Sequence, residues 1–302
     1  MGTSIKDIIA GRKTFFICPD TSLIPETFME EYLSEGYECY FVTNDKRLSL
    51  QEKIEIIISV FNDVILFFNI DANIPGISWP SMIKAINDKY QGRVLIGALY
   101  TKRQTKEEKQ KIEKMFLYDI GITCGCIQLE YQKKINFGII EKVLFANQAM
   151  GRRKNVRALC NNSCTFTFTY NNHHYSSTLN DISLSHFSST FDVDALKLPE
   201  YEKIEDIQFT VKGLHFRSSA VLFMSRQNEG KMLYVFTFVS KTGASGLDLM
   251  TKQLLIPRLY QIMDENASAL LNQLYNTYIQ RAGATSTNEL GEGIEAIDVE
   301  DL

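Results

Sequence analysis

The seven residues Gly151–Arg157, GRRKNVR, hold four cations and no acid. Arg153 and Arg157 stand four positions apart, with Arg152 and Lys154 flanking the first. The chain carries 32 Lys and Arg against 36 Asp and Glu, a net charge of −4, so the cluster does not belong to a generally basic surface. Guanidinium groups at this density suit an anion, because the planar fork pairs bidentately with phosphate oxygens and its flat face stacks on rings. An isolated charge run is as a rule a solvated linker, so its company decides. Further along, DISLSHF (Asp181 to Phe187) supplies a carboxylate at Asp181 and a hydroxyl at Ser183. A carboxylate only accepts hydrogen bonds, whereas a hydroxyl both donates and accepts.

Other chemistry-bearing residues are less promising. The six cysteines (Cys18, Cys39, Cys124, Cys126, Cys160, Cys164) sit in a chain too large to need disulfide staples and are expected to be reduced. Cys160 and Cys164 could be read as metal ligands, but no CxxC pair or suitably spaced His joins them, so ordinary packing is the expectation and no metal is assigned. His173 and His174 are adjacent in what reads as a polar turn, a solvated loop rather than a zinc site. No nucleophile elbow, P-loop, GxGxxG turn or metal-spaced His cluster is present, which argues against an enzyme.

The elements that must position the cluster follow from length and periodicity. A chain of 302 residues predicts two folded units, and 45% hydrophobic with 23% charged residues can fill two cores. The opening MGTSIKDIIAGR lacks the apolar run of a signal peptide, and the most apolar stretch, IEIIISVFNDVILFFNI, is interrupted by Asn62 and Asp63. A cytoplasmic protein without membrane insertion is expected. Over residues 1–149 the runs TFFICPD, YECYFVT, DVILFFNID, VLIGALY and CGCIQLEY alternate with helical-period segments such as PETFMEEYLSEG and KEEKQKIEKMFLYDIG. Five such units without in-out alternation predict a doubly wound parallel α/β domain. After Gly151 the rhythm changes to strict alternation in CTFTFTY and LYVFTFV, with IQFTVKGLHF and AVLFMS as further strands, which predicts a six-stranded antiparallel β-barrel over 150–256. A helix is expected over 257–282, opening near Pro257 and aligning Leu259, Met263, Leu270, Leu271, Leu274 and Tyr278 on one face. That face packs on the barrel or, as the second reading, forms a homodimer contact. Residues 283–302 hold acids and no Lys or Arg and read as a disordered acidic tail.

Together, Arg153-Lys-Asn-Val-Arg157 and Asp181-Ile-Ser183-Leu-Ser-His186 resemble the RxxxR and (D/N)xSxxG signature of the PilZ family of bacterial cyclic di-GMP receptors. The resemblance covers roughly 110 residues, the barrel strands and following helix falling where such a domain would put them. It implies that Arg153 and Arg157 hold phosphate and guanine, that Asp181 and Ser183 take the base edge, and that Arg152 favours a stacked pair of ligands. His186 stands where the family has Gly. A side chain forced into left-handed space would cost about 1–2 kcal/mol. Each charge-assisted hydrogen bond contributes about 1.5–3 kcal/mol, so binding is expected, with His186 either tolerated as bulk or stacked near the base. The implied function is a cyclic di-GMP effector that reorients its two domains and acts on a protein partner, in processes such as motility, with no polymeric nucleic acid.

The first domain resembles the receiver domain of two-component response regulators, Asp71-Ala-Asn-Ile-Pro75-Gly76 matching the phosphoacceptor strand end. Only Asp20 follows strand one where receivers have an acidic pair, Thr101 roughly occupies the hydroxyl position, and Gln128 or Leu129 stands where a lysine belongs. A pseudo-receiver with a structural Asp71 is therefore expected. The alternative is a phosphorylation-gated regulator with a non-binding output barrel.

Overall fold

A computed structural model describes residues 5–45, 48–61, 63–101, 103, 105–151, 154–228 and 230–285. Arg152, Arg153 and most of the acidic tail lie outside the described residues. The chain divides into two compact units. One comprises Ile9–Lys154 with the chain from Ser268 onward, and the other Asn155–Ala267 with the amino-terminal residues up to Ile8.

The first unit is the α/β body. Strands β1 (Lys13–Ile17), β2 (Cys39–Val42), β3 (Val64–Asn69), β4 (Val94–Thr101) and β5 (Cys126–Leu129) form one parallel sheet in the order β2-β1-β3-β4-β5. Parallel neighbours must be joined by crossovers, and helices supply them: α2 (Thr27–Ser34), α3 (Leu50–Val60), α4 (Trp79–Lys89) and α5 (Lys106–Glu113), while α6 (Lys133–Ala146) follows β5 and the short α1 (Ile5–Ile9), which the other unit claims up to Ile8, precedes β1. Every residue of β1 and β3 is buried, the burial that a sheet covered on both faces demands and the reason these runs do not alternate. Helix starts are written locally. Ser49 with Glu52, and Thr105 with Glu108, make reciprocal capping boxes on α3 and α5, satisfying donors that the first turn leaves free. Beyond α5 the chain continues as a π-helical segment, Lys114–Ile120, ended by Gly121 at φ 79°.

The second unit is an antiparallel sheet of eight strands rather than the six expected. These are β6 (Ala158–Leu159), β7 (Cys164–Tyr170), β8 (His173–Thr178), β9 (Asp181–Ile182), β10 (His186–Asp192), β11 (Lys203–Val211), β12 (Leu214–Asn228) and β13 (Lys231–Val239), in the order β6-β9-β10-β13-β12-β11-β7-β8. The sheet curls into a half-barrel without closing. Register shifts between Ile204 and Ile207 on β11 and between Leu222 and Met224 on β12 add the local bend that bulges bring. Alternation sends Phe166, Phe168, Phe187, Phe209, Phe236 and Phe238 inward, where Phe187 stacks on Phe236 at 4.7 Å between centroids. The expected polar turn at His173 and His174 is instead the start of β8. The turn itself is Asn171-Asn172, both at positive φ, a pairing that suits a two-residue hairpin.

The carboxy-terminal helix α7 spans Leu249–Thr285, so it opens eight residues before Pro257, which lies inside it. Leu255, Leu259, Ile262, Met263 and Ala267 are buried in the half-barrel unit and Leu270, Leu274 and Tyr275 in the α/β unit, whereas Leu271 and Tyr278 are only partly covered. In the half-barrel unit Asn266 donates to the Leu159 carbonyl at 2.8 Å. None of the described helices is long and apolar enough to cross a membrane.

At the centre of the parallel sheet Gly97 faces Phe67 across the β3–β4 ladder. A Cβ there would fall 2.6 Å from two ring carbons of fully buried Phe67 and 3.2 Å from the Cβ of Cys124. Overpacking of this kind costs about 1–3 kcal/mol. Gly97→Ala is expected to lower stability by that amount in urea unfolding, and an unchanged midpoint would show that the β3–β4 spacing is looser than described.

Candidate functional site

One residue of each sequence motif, Arg157 and Asp181, meets the other at the short strands β6 and β9, while Arg152 and Arg153 lie outside the described residues. Leu159 pairs with Asp181 and Ala158 with Ile182, so the segment carrying Arg157 runs directly into the strand beside Asp181. The Arg157 guanidinium (28% exposed) lies 3.7 Å from Oδ1 of Asp181 (15% exposed). That is an ion-pair distance but too long for a hydrogen bond. Asp181 Oδ2 accepts from the Ser188 hydroxyl at 2.6 Å, across the Asp181–Ser188 register pair. Oδ1 is buried and accepts no hydrogen bond among the described residues. A buried carboxylate oxygen without a donor is costly. Among the described residues the Arg157 cation, just beyond bonding reach, partly offsets it.

Ser183 is placed differently from its expected role. It is 1% exposed, and its hydroxyl accepts from the backbone N–H of Ser185 (3.3 Å) and of His186 (3.0 Å) while donating to the His186 carbonyl (3.1 Å). One donor and two acceptors exhaust a hydroxyl. In this structure Ser183 therefore shapes the turn into β10 and presents no free atom to a base. His186 causes none of the backbone strain expected of a side chain at the family's Gly position: it is the first residue of β10 and does not have positive φ. Its Nδ1 lies 2.8 Å from the Ser185 hydroxyl, and its ring meets Phe223, which is 52% exposed, edge to face at 6.0 Å. Burial lowers the His186 pKa, nearby Arg157 lowers it further, and Asp181 partly opposes them.

Sequence reasoning missed three residues here. Asn155, between the motif arginines, donates to the Ser185 hydroxyl at 3.0 Å and fastens the arginine segment to the turn. Ser188 holds one oxygen of Asp181, and Phe223 adds an aromatic face. Nothing local in the sequence marks Ser188, one of three successive hydroxyl residues in HFSSTFD, or Phe223.

The α/β unit carries a second polar cluster at the carboxyl ends of β3 and β4. Asp71 Oδ2 accepts from the backbone N–H and the hydroxyl of Thr101, both at 2.7 Å. Arg103 bonds both carboxylate oxygens, and its guanidinium lies 5.6 Å from the Tyr100 ring centroid. Thr101 thus occupies the hydroxyl position, while the cation comes from Arg103 after β4, which sequence comparison did not single out. Gln128 bonds Glu130, and Asp20 is tied into its own turn by Ser22. Burial raises the Asp71 pKa, but the Arg103 and Thr101 hydrogen bonds outweigh it, and the carboxyl lies below the usual aspartate range. Among the described residues no group of three or more His, Cys, Asp or Glu could hold a metal ion.

No family model and no curated protein matches the chain. Solved structures similar to it include YcgR from Escherichia coli in complex with c-di-GMP (15% identity, 41% of this chain and 51% of that one, TM-score 0.33). The PilZ domain of the same protein with c-di-GMP (13%, 40% and 98%, 0.33) and the Bacillus subtilis inhibitor of motility MotI/DgrA (12%, 36% and 50%, 0.31) are also similar. The chain spans about half the length of YcgR and MotI. Similarity at these scores carries no argument by itself.

The Asp71 cluster makes a prediction of its own. A folded-state pKa held below the unfolded value, about 3.9 for aspartate, gives stability that is present above that pH and lost as the pH falls through the folded value. Neither partner is more than 27% exposed. Arg103→Gln is expected to destabilise the protein by about 1.5–3 kcal/mol at neutral pH. The difference from the parent should disappear in acid as Asp71 protonates. A gap unchanged at low pH would detach Arg103 from Asp71.

Proposed function

We propose that the protein is a cyclic di-GMP effector whose ligand is gripped by Arg153 and Arg157 against the strand bearing Asp181. The observation that carries this reading is the Arg157–Asp181 pair, a cation 3.7 Å from a buried carboxylate oxygen that no donor satisfies among the described residues. A guanine edge offers N–H donors, which that oxygen can accept, and the ligand's phosphates offer the guanidinium a bidentate partner. Phe223 and His186 supply ring faces beside it. Asp181 takes the base edge, Ser183 keeps the turn in shape, and His186 lines the pocket. Arg152 is assigned to a second, stacked ligand molecule. YcgR and its PilZ domain, to which this chain is similar, are solved with c-di-GMP.

Ligand capture orders the arginine segment that joins the two units, and the changed relation between them is what a protein partner reads. The activity is binding, not catalysis. The phosphorylation-gated reading has one supporting contact, the Thr101 hydroxyl on Asp71, but Arg103 already occupies both oxygens of that carboxylate. Incubation with acetyl phosphate and Mg²⁺ is expected to leave the mass unchanged; an added phosphoryl group lost in Asp71→Asn would favour that reading.

Arg153→Ala and Arg157→Ala are each expected to weaken cyclic di-GMP binding by more than about tenfold in calorimetry, the loss of roughly one charge-assisted contact. Asp181→Asn should weaken it too, because an amide keeps the volume but loses the charge. Parent-like affinity in both arginine variants would remove them from the site.

A further inference from the structure

Phe223 owes its position to an irregularity in its own strand. On β12 the register passes from Leu222, opposite Phe236, to Met224, opposite Val235, so Phe223 is the extra residue of a bulge. A bulge bends its strand and re-aims the side chain it carries. Leu222 is fully buried in the half-barrel, whereas Phe223 is 52% exposed. Singly exposed apolar residues are ordinary, so where this ring points decides its meaning. Strands two apart in a sheet lie about 10 Å from each other, and β13 runs between β12 and β10. On that intervening strand the residue opposite His186 is Thr237, a small side chain flanked by buried Phe236 and Phe238. The Phe223 ring reaches across until its centroid is 6.0 Å from that of His186, edge to face.

We propose that Phe223 is a stacking platform for the ligand's second guanine, the one that Asp181 does not hold. The proposal rests on the cyclic di-GMP reading above and adds to it the place of the other base. His186 connects the ring to the arginine segment: its Nδ1 lies 2.8 Å from the Ser185 hydroxyl, and that hydroxyl accepts from Asn155 at 3.0 Å. Strand alternation puts His186 and Ser188 on the face opposite fully buried Phe187, and Ser188 bonds Asp181. The carboxylate, the imidazole and the Phe223 ring thus follow one another across β9, β10 and β12.

A cyclic dinucleotide carries two bases on one closed frame of sugars and phosphates, so a site that takes one base by its edge leaves the other beside the neighbouring strands. What that base needs is a flat apolar surface, because an aromatic ring stacks on the π-face that every base has. Burial and nearby Arg157 lower the His186 pKa, which keeps the imidazole beside Phe223 neutral at pH 7 and leaves the phosphates to the guanidinium. The two ends of the row then do different work. Asp181 reads a base edge and sets selectivity, while Phe223 adds affinity without regard to which base lies on it. A loss of affinity with selectivity retained distinguishes a stacking ring from an edge reader.

Titrating the full chain and its Phe223→Ala, Phe223→Leu and Phe223→Trp variants with cyclic di-GMP tests this; the side chain lies outside the buried core, so each variant is expected to fold. Base–aromatic stacking is worth about five- to a hundredfold in affinity. Ala and Leu should weaken binding by at least about fivefold, both variants still rejecting cyclic di-AMP, and Trp should stay within about twofold of the parent. The Trp variant should also change its fluorescence at saturation beyond any change in the parent, whose single tryptophan, Trp79, is buried in the α/β unit. Parent-like affinity in Phe223→Ala or Phe223→Leu, with the parent binding normally, would overturn the platform and leave the cyclic di-GMP reading standing. A parent that does not bind cyclic di-GMP would remove both.

Discussion

A half-buried carboxylate beside a guanidinium, with one oxygen bonded and the other bare among the described residues, is the constraint around which the half-barrel end is arranged. Ser188 fixes Oδ2 of Asp181, so the carboxylate cannot rotate away, and Arg157 stands 3.7 Å from Oδ1. Burying a charge this way is costly unless it is paired and hydrogen-bonded. Under the proposed function, the donor that Oδ1 lacks among the described residues is the one the ligand brings. The surrounding bonds serve this geometry, since Ser183 spends its hydroxyl on the turn and Asn155 ties the arginine segment to Ser185.

The two polar clusters contrast instructively. In the α/β unit Asp71 is fully paired by Thr101 and Arg103, and its lowered pKa reflects a carboxylate satisfied from within the chain. Near Arg157 the carboxylate is incompletely satisfied. Asp71 has its donors supplied by the chain, whereas Asp181 keeps one acceptor unmet among the described residues beside a half-buried cation, the feature on which the proposed ligand site rests. The aromatic core of the half-barrel, packed around Phe187, Phe209 and Phe236, adjoins the Arg157–Asp181 cluster through Phe187, the neighbour of Ser188 on β10.

Legibility in the sequence tracked burial. The five parallel strands were readable because both sheet faces are covered and each strand is an unbroken apolar run. CTFTFTY and LYVFTFV were readable because a half-buried sheet alternates. HHYSST and HFSSTFD escaped as strands since their side chains are short and polar, and β6 and β9 are only two residues each, below what periodicity can register. Helix α7 misled because Pro257 is at home in a first turn, yet it lies well inside a helix that begins at Leu249. At the site, the motif spacing pointed to Arg157, Asp181, Ser183 and His186, but not to the inward turn of the Ser183 hydroxyl. Arg103 and Phe223 come from distant strands or loops, so no local pattern could have revealed them.

The most direct measurement is calorimetric titration of the full chain with cyclic di-GMP, with GTP and cyclic di-AMP as controls. The account predicts saturable binding of cyclic di-GMP alone, because it combines two guanine edges with two phosphates. No heat with cyclic di-GMP, or equal binding of all three, would contradict it.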